Sequence, residues 1–366
     1  MLQLTGSIPE TPFDTPLDPD EFLQAAMRWH FSPETGSRFW LERAPSLGFD
    51  PRTDIRTFAD LVLFPNLTNA LRDVPAEDLV PRGYGARPDI AGVYESGGTT
   101  GPPKRVVIMR DWWERLVAWQ VAQLEARGTP RDRDWLVLLP NGPHVAGEMF
   151  RAQAAATGGV RFAIDMDPRW VKKLIAAGKA DEADAYAEHL IDQAAFVLRT
   201  QDIGVLASTP PLLERLVRRD DLVALVRDKV QAIHWGGAHM DADTRHLLRT
   251  EVFPGVDLVG GYGSTMVLGG APERPGLMDG EPCVFDTFSP FISFSVVDPD
   301  TGRTVEYGER GQVVMNHVSR SFLLPNNLER DMATRVRPPD GQVGDSVADV
   351  TPVREFDGET VIEGVY

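Results

Sequence analysis

Tyr94-Glu95-Ser96-Gly97-Gly98-Thr99-Thr100-Gly101-Pro102-Pro103-Lys104 follows directly on a short apolar run that begins at Ile90. Three glycines, three hydroxyl side chains and one lysine fall within eleven residues. That is the composition of a phosphate cradle: glycines bring backbone N–H groups close to a ligand, hydroxyls add donors, and a lysine supplies a point charge for phosphoryl oxygens. The spacing differs from the Walker pattern Gly-x-x-x-x-Gly-Lys-Ser/Thr, because Lys104 follows two prolines and precedes Arg105 and Val106. A P-loop NTPase is therefore disfavoured, and a plain Gly/Thr surface loop is the competing reading.

Outward from this loop the chain alternates strand and helix patterns. Val106 to Met109 reads as a buried strand and Trp112 to Arg127 as a helix with Trp113, Leu116, Val117, Gln120 and Leu124 on one face. Trp135 to Leu139 is another strand-length apolar run, followed by the turn Asn141-Gly142-Pro143-His144 and a helix from Gly147 to Ala156. Further strands are expected at Val160 to Ile164, at Phe196 to Leu198 after a helix, and at Ile203 to Ala207 before a helix from Pro211 to Arg218. Gln231 to Gly237 and Val256 to Tyr262 both run from strand into glycine. This alternation predicts an α/β fold with mixed sheets covered by helices and ligands gathered at the carboxyl ends of strands.

At both ends the pattern differs. Residues up to Asp20 read as an extended arm, Asp20 to Leu41 as two short helices around Ser32-Pro33-Glu34, and Phe58 to Pro65 as a short helix with Thr57 and Asp60 spaced as a capping box. The acidic run Lys179 to His189 reads as a solvated helix or flap. From Ser293 on, Phe294 to Val297, the turn Asp298 to Gly302, and Gly311 to Asn316 are hairpin and small-barrel material. The expected division is an α/β core over 1–290 and a β-rich subdomain over 291–366.

With 366 residues the chain can bury a large core, and its net charge of −17 argues against nucleic acid as a partner. A single cysteine, Cys283, excludes an internal disulfide and is expected to be structural. No apolar run reaches membrane-spanning length, and Met1 to Glu10 lacks a signal-peptide pattern, so a reducing cytoplasmic setting is expected, with no membrane partner.

Gly98 to Lys104 resembles the signature Ser-Gly-Thr-Thr-Gly-x-Pro-Lys of the adenylate-forming superfamily, with Gly97 where the first serine belongs and Ser96 one place earlier. Tyr262-Gly263-Ser264-Thr265 resembles a second motif of that superfamily, Tyr-Gly-x-Thr-Glu, with Met266 in the last place. The layout is similar to that of the phenylacetate-CoA ligase branch and of acyl-protein synthetases. The resemblance implies that Ser96, Gly97, Gly98, Thr99, Thr100, Gly101 and Lys104 hold the pyrophosphate portion of ATP. It implies that Gly236, Gly237 and Ala238 border the adenine, that Tyr262, between Gly261 and Gly263-Ser264, stacks on it, and that Thr265 donates to the α-phosphate. Asp345, in Gly344-Asp345, matches the ribose-binding aspartate, Arg354 matches the hinge arginine, and His144 sits where the family walls its carboxylate pocket. Each short motif also has a bland reading as a turn or as packing. Phe150, Trp235, Met266, Val267 and Leu268 lie beside these motifs and suggest a hydrophobic or aromatic acyl group.

Two departures bear on function. Met266 stands where the family has a glutamate that ligates Mg²⁺, and a thioether does not bind a hard cation, so the metal is expected on phosphates, water or a carboxylate such as Glu148 or Glu95. Only twelve residues follow Arg354, so the mobile C-terminal lobe with its catalytic lysine is expected to be absent or supplied in trans. Acyl-protein synthetases load a cysteine near their C-terminus; here no cysteine follows Cys283. The resemblance implies ATP-dependent activation of a small carboxylic acid as acyl-AMP, with transfer to an amine or thiol, and admits a carrier protein as partner. Activation of another oxyacid such as nitrite, and a nucleotide-binding module without turnover, are the alternatives.

Overall fold

The computed structural model describes residues 17–96, 103–277, 280–353, 355–356 and 359–360. Helix α1 (Pro19–His30) starts where Asp18 Oδ1 accepts from the backbone N–H groups of Asp20 and Glu21, at 3.1 and 2.9 Å, and Pro19 takes a position that needs no donor. It buries Phe22, Leu23, Ala26, Met27 and Trp29. Helices α2 (Arg38–Arg43) and α3 (Pro51–Asp54) are capped by Ser37 and Asp50. A 3₁₀ turn over Phe58–Leu63 begins at the expected box, where Asp60 Oδ2 accepts from Thr57 N at 2.8 Å.

The glycine-rich loop joins an antiparallel hairpin of β1 (Ile90–Glu95) and β2 (Arg105–Met109). The chain then runs α4 (Arg110–Ala126), β3 (Asp134–Leu138), α5 (Val145–Ala156), β4 (Arg161–Ala163), α6 (Pro168–Ala176), α7 (Ala180–Thr200), β5 (Ile203–Ser208), α8 (Pro210–Val217), α9 (Asp220–Lys229), β6 (Ala232–Gly236), α10 (Ala242–Leu247), β7 (Asp257–Ser264) and β8 (Gly269–Pro272). These strands form a six-stranded sheet in the order β4-β3-β5-β6-β7-β8, parallel except for β8. Helices cover both faces, which is why its strands are continuous apolar runs. Leu136, Leu138, Leu206, Ile233 and Trp235 enter the main core on one face, whereas Trp135, Val137, Val205, Ala207 and Ala232 pack with Leu124 and Ala154 on the other.

Phe196 to Leu198 is not a strand. The triplet is the last turn of α7, whose apolar positions Ala187, Leu190, Ile191, Ala194 and Leu198 keep the helical period while Phe196 is 68% exposed. The acidic run forms the first half of the same helix.

A second sheet is antiparallel, in the order β10-β11-β12-β13-β9, built from β9 (Val284–Phe285), β10 (Ile292–Val297), β11 (Arg310–Val318), β12 (Leu323–Val336) and β13 (Ser346–Pro352). It curls into a half-barrel, and Asp345 N donates to Phe294 O at 2.8 Å to bring the start of β13 back onto β10. The N-terminal helices dock here: Trp29 Nε1 donates to Arg320 O, Trp40 Nε1 to Leu323 O, and Asn326 Nδ2 to Phe64 O. Among the described residues no helix is long and apolar enough to cross a membrane.

Candidate active site

The carboxyl ends of β3, β5, β6 and β7 lie along one edge of the parallel sheet, spanning three strand spacings or about 14 Å. At this edge Gly236 pairs with Gly261 across β6 and β7. A Cβ on Gly236 would stand 2.8 Å from the Gly261 carbonyl oxygen, and Gly237 has φ +79°, so both positions demand glycine. Half-buried Ala238 follows.

At the β3 end, Asn141 fixes the turn before His144. Its Nδ2 donates to Leu139 O and Ile164 O, and its Oδ1 accepts from Arg161 Nη1 at 2.9 Å. Glu95 N donates to Pro143 O at 2.8 Å and so ties the hairpin to this turn. Ser96 and Lys104 close the stem of the glycine-rich loop: Ser96 N donates to Lys104 O at 2.9 Å, and Lys104 N to Ser96 Oγ at 3.1 Å. Gly97, Gly98, Thr99, Thr100 and Gly101 lie outside the described residues, as does Arg354.

Tyr262 stands at the end of β7 with its ring against Phe285 and Phe294, at centroid distances of 5.8 and 5.7 Å. Its hydroxyl donates to Asp331 Oδ2 at 2.9 Å. Burial, reinforced by Asp331 and Glu329, pushes the phenol pKa well above its ordinary value and keeps it a donor. Asp331 was not among the residues singled out from sequence. It belongs to Glu329-Arg330-Asp331, which bulges on the β11 side of β12: Gln312 pairs with Met332 and Val314 with Leu328, so Val313 alone opposes these three. Three consecutive charged residues inside a strand are the one signal the sequence carries.

Beyond Gly263, Ser264 Oγ accepts from Met266 N at 3.2 Å and starts a 3₁₀ turn over Thr265–Val267, leaving Thr265 half-buried. Met266, Val267 and Leu268 are core residues; Val267 O accepts from His317 Nδ1, and Leu268 O from Trp112 Nε1. Phe150 packs on Trp135 and His234, on the face of the parallel sheet opposite to Trp235. The structure therefore does not bring Phe150 and Trp235 to one pocket wall. Asp345 is 3% exposed and its Oδ1 lies 2.9 Å from Arg335 Nε; burial pushes its carboxyl up against the pull of Arg335. Its carboxylate is turned to this ion pair, while its neighbour across the barrel closure, Phe294, is the residue that touches Tyr262.

Charge gathers between the loop stem and α6. Arg169 Nη2 lies 2.7 Å from Glu95 Oε2, and Arg105 Nε 2.9 Å from Glu95 Oε1. Burial pushes the Glu95 carboxyl up, but hydrogen bonds from these arginines outweigh it and hold it below the ordinary range. His144 is held below its ordinary value by burial and then by Arg169, against Asp167 and Glu95, so its imidazole is neutral near pH 7. Lys172, half-buried on α6, is lowered to about 8 by burial and by Arg330.

The family implied by the motifs uses Mg²⁺. Both Glu95 oxygens are engaged by arginines, Glu148 pairs with Arg151, Met266 offers a thioether, and no group of three His, Cys, Asp or Glu side chains suited to a metal occurs among the described residues. These donors do not make a Mg²⁺ site.

Behind β7, Glu273 is buried with Arg245 and Arg249, and its Oε2 accepts from Gly260 N at 2.8 Å. Cys283 packs on the same strand: a Cβ on Gly260 would come within 2.9 Å of its Sγ. Burial, with Glu273 adding to it, pushes this thiol up.

No protein-family model matches the sequence, and no curated protein does so either. Solved structures do resemble it. A 2-hydroxyisobutyryl-CoA ligase in complex with 2-HIB-AMP and CoA, in the thioesterification state, matches with a TM-score of 0.65 at 16% identity over 94% of this chain and 70% of that one. An open conformation of that ligase in complex with the same two molecules gives 0.62 at 14%, over 94% and 77%. ATP-bound MatB from Rhodopseudomonas palustris gives 0.50 at 17%, over 72% and 48%. At such identities the likeness is one of architecture: this chain has the fold of the 2-hydroxyisobutyryl-CoA ligase.

Proposed function

We propose that this chain activates a small carboxylic acid as its acyl adenylate with ATP and passes the acyl group to a thiol or an amine. The observation that carries the reading is the Gly236–Gly261 pair beside Tyr262, on the same sheet edge as the turn that anchors the Ser96–Lys104 loop stem. Backbone bare of side chains at Gly236 and Gly261 lets a flat base approach it closely, and an aromatic ring beside it suits stacking. Lys104 and the loop it closes take the pyrophosphate portion, and the Thr265 hydroxyl donates to the α-phosphate. The acid's carboxylate oxygen attacks the α-phosphorus, the bond to the β-phosphate oxygen breaks, and pyrophosphate leaves. Proximity and charge neutralisation supply the acceleration for such a step. Neutral His144 walls the carboxylate without pairing with it as an ion. The thiol or amine then attacks the acyl carbon and AMP departs.

Trp235 and Met266, adjacent to the glycines and to Thr265, favour a hydrophobic or aromatic acyl group. The ligase of the same fold solved with 2-HIB-AMP and CoA, and MatB solved with ATP, support the ATP-dependent reading and a thiol acceptor. The test is pyrophosphate release with a panel of carboxylic acids, with hydroxylamine trapping of the activated acyl group. Release with one acid class and a matching hydroxamate are expected; ATP binding without release for any acid sinks the reading and leaves a binding module.

A further inference from the structure

We propose that Trp112 and His317 are positioning residues for the adenylation step: their ring N–H groups clamp the turn that presents the Thr265 hydroxyl to the α-phosphate. The proposal rests on the adenylation reading above. Ser264 pairs with Gly269 across β7 and β8, so Thr265 to Leu268 form the connection of this hairpin. The chain turns back through Leu268, whose φ of +53° and ψ of +38° lie in the left-handed region. A leucine is strained there, where glycine or asparagine is the usual residue, and such a conformation persists only where the surroundings over-determine it.

The surroundings supply two donors. Trp112 Nε1 donates to Leu268 O at 3.0 Å, and His317 Nδ1 donates to Val267 O at 2.6 Å. All four residues are buried, so each carbonyl depends on its donor rather than on water. A carbonyl only accepts, which fixes the proton of His317 on Nδ1 and leaves Nε2 to accept from Ser319 Oγ at 2.7 Å. Trp112 meets the His317 ring edge-on at 4.5 Å and packs against Phe288 and Phe291, so neither donor is free to turn away. The two arrive from different parts of the fold. His317 lies on β11 of the half-barrel, and Trp112 lies in the first turn of α4, which begins where β2 of the loop hairpin ends at Met109. The clamp therefore refers the position of Thr265 to the strand that follows Lys104. The residue assigned to the α-phosphate and the loop assigned to the pyrophosphate portion are held in one frame. Displacing a reacting group by about 1 Å costs about a hundredfold in rate, which is the scale on which such a clamp acts.

Steady-state pyrophosphate release by the full chain, with the acid that supports it, tests the clamp. Trp112→Phe keeps an aromatic ring and removes the donor. It is expected to lower kcat by roughly tenfold to a hundredfold, with ATP KM changing less than kcat. In His317→Asn the amide nitrogen stands in for Nδ1, so this variant is expected to keep more of kcat than His317→Leu, which has no donor. Trp112→Phe on a Thr265→Val background is expected to add little further loss, because its effect passes through the missing hydroxyl. Wild-type kcat in Trp112→Phe overturns the proposal and leaves adenylation intact. So does an equal kcat in His317→Asn and His317→Leu, the comparison that decides should Trp112→Phe fail to fold. The same proportional loss on both backgrounds also overturns it, as the mark of a general structural role. A wild-type protein that releases no pyrophosphate with any acid overturns this proposal together with the adenylation reading.

Discussion

The Tyr262 hydroxyl and the Asp331 carboxylate, 69 positions apart, meet at 2.9 Å and so join β7, the last of the parallel strands, to the bulge of the half-barrel. The two sheets are locked together at the residue that borders the proposed base site. The bond sets the position of the ring as well as the attitude of β12.

Tyr262→Phe keeps the ring and removes the donor. A net hydrogen bond of this kind contributes about 1 kcal/mol, with an added cost where a partly buried carboxylate is left without it. Urea unfolding is expected to show a loss of about 1–2 kcal/mol. Nucleotide affinity, measured by titration calorimetry, is expected to fall less than for Tyr262→Ala, which also removes the aromatic surface. Equal affinities for the two variants would remove the ring from the proposed base site.

Asp345 was matched from sequence to a ribose acceptor, yet its carboxylate pairs with Arg335 inside the barrel closure. The two roles separate experimentally. Asp345→Ala leaves the Arg335 guanidinium without its partner, and breaking one side of a buried ion pair costs about 3–5 kcal/mol. The expected outcome is a large fall in unfolding free energy with a smaller change in ATP affinity. Unchanged stability with a strong loss of ATP affinity would restore the ribose assignment.

How much of this was legible depends on the physics of each element. Trp135 to Leu138 announce a strand because both faces of the parallel sheet are covered and every position must be apolar. Gly236 is legible because the close approach of the Gly261 carbonyl across β6 and β7 leaves no room there for a side chain. Phe196 to Leu198 misled because three apolar residues at a helix end have no period of their own. Phe150 and Trp235 both neighbour motifs, but strand parity sends His234 and Trp235 to opposite faces, and Phe150 follows His234. The Glu329–Asp331 bulge depends on how β11 aligns with β12, a long-range match that leaves no local pattern beyond its charges.

Stability toward acid follows from three buried imidazoles. His30 and His234 are lowered to about 4, and His317 to about 3, by burial, with a backbone hydrogen bond from His30 to Ser319 and from His317 to Val267 only partly opposing it. A depressed folded pKa means that the unfolded chain binds more protons below its own value of 6.5. This contribution is complete above 6.5 and is lost as pH falls toward 4. Each group adds a slope of at most about 1.4 kcal/mol per pH unit. Urea unfolding at successive pH values between 7 and 4.5 is expected to show a steep decline, shallower in His234→Gln than in wild type. A flat profile across that window excludes buried neutral histidines.

The last relationship reaches the site from behind. Glu273 is 2% exposed, faces Arg245 and Arg249, and accepts from the N–H of Gly260, the residue before Gly261 and Tyr262. Glu273→Ala leaves two guanidinium groups without their carboxylate and one strand N–H without its acceptor, an expected loss of about 3–5 kcal/mol. Glu273→Gln keeps an acceptor for Gly260 and loses only the charge, so it is expected to fall between wild type and alanine. A second readout needs no unfolding. The Glu273 charge helps to push the Cys283 thiol up, so the glutamine variant lowers that pKa and exposes more thiolate at a given pH. Modification by a thiol reagent under native conditions is therefore expected to be faster in Glu273→Gln than in wild type, with the rate rising at lower pH. Identical pH dependence in the two proteins would show that burial alone sets the thiol, and that the Glu273 carboxylate acts on β7 through its hydrogen bond to Gly260.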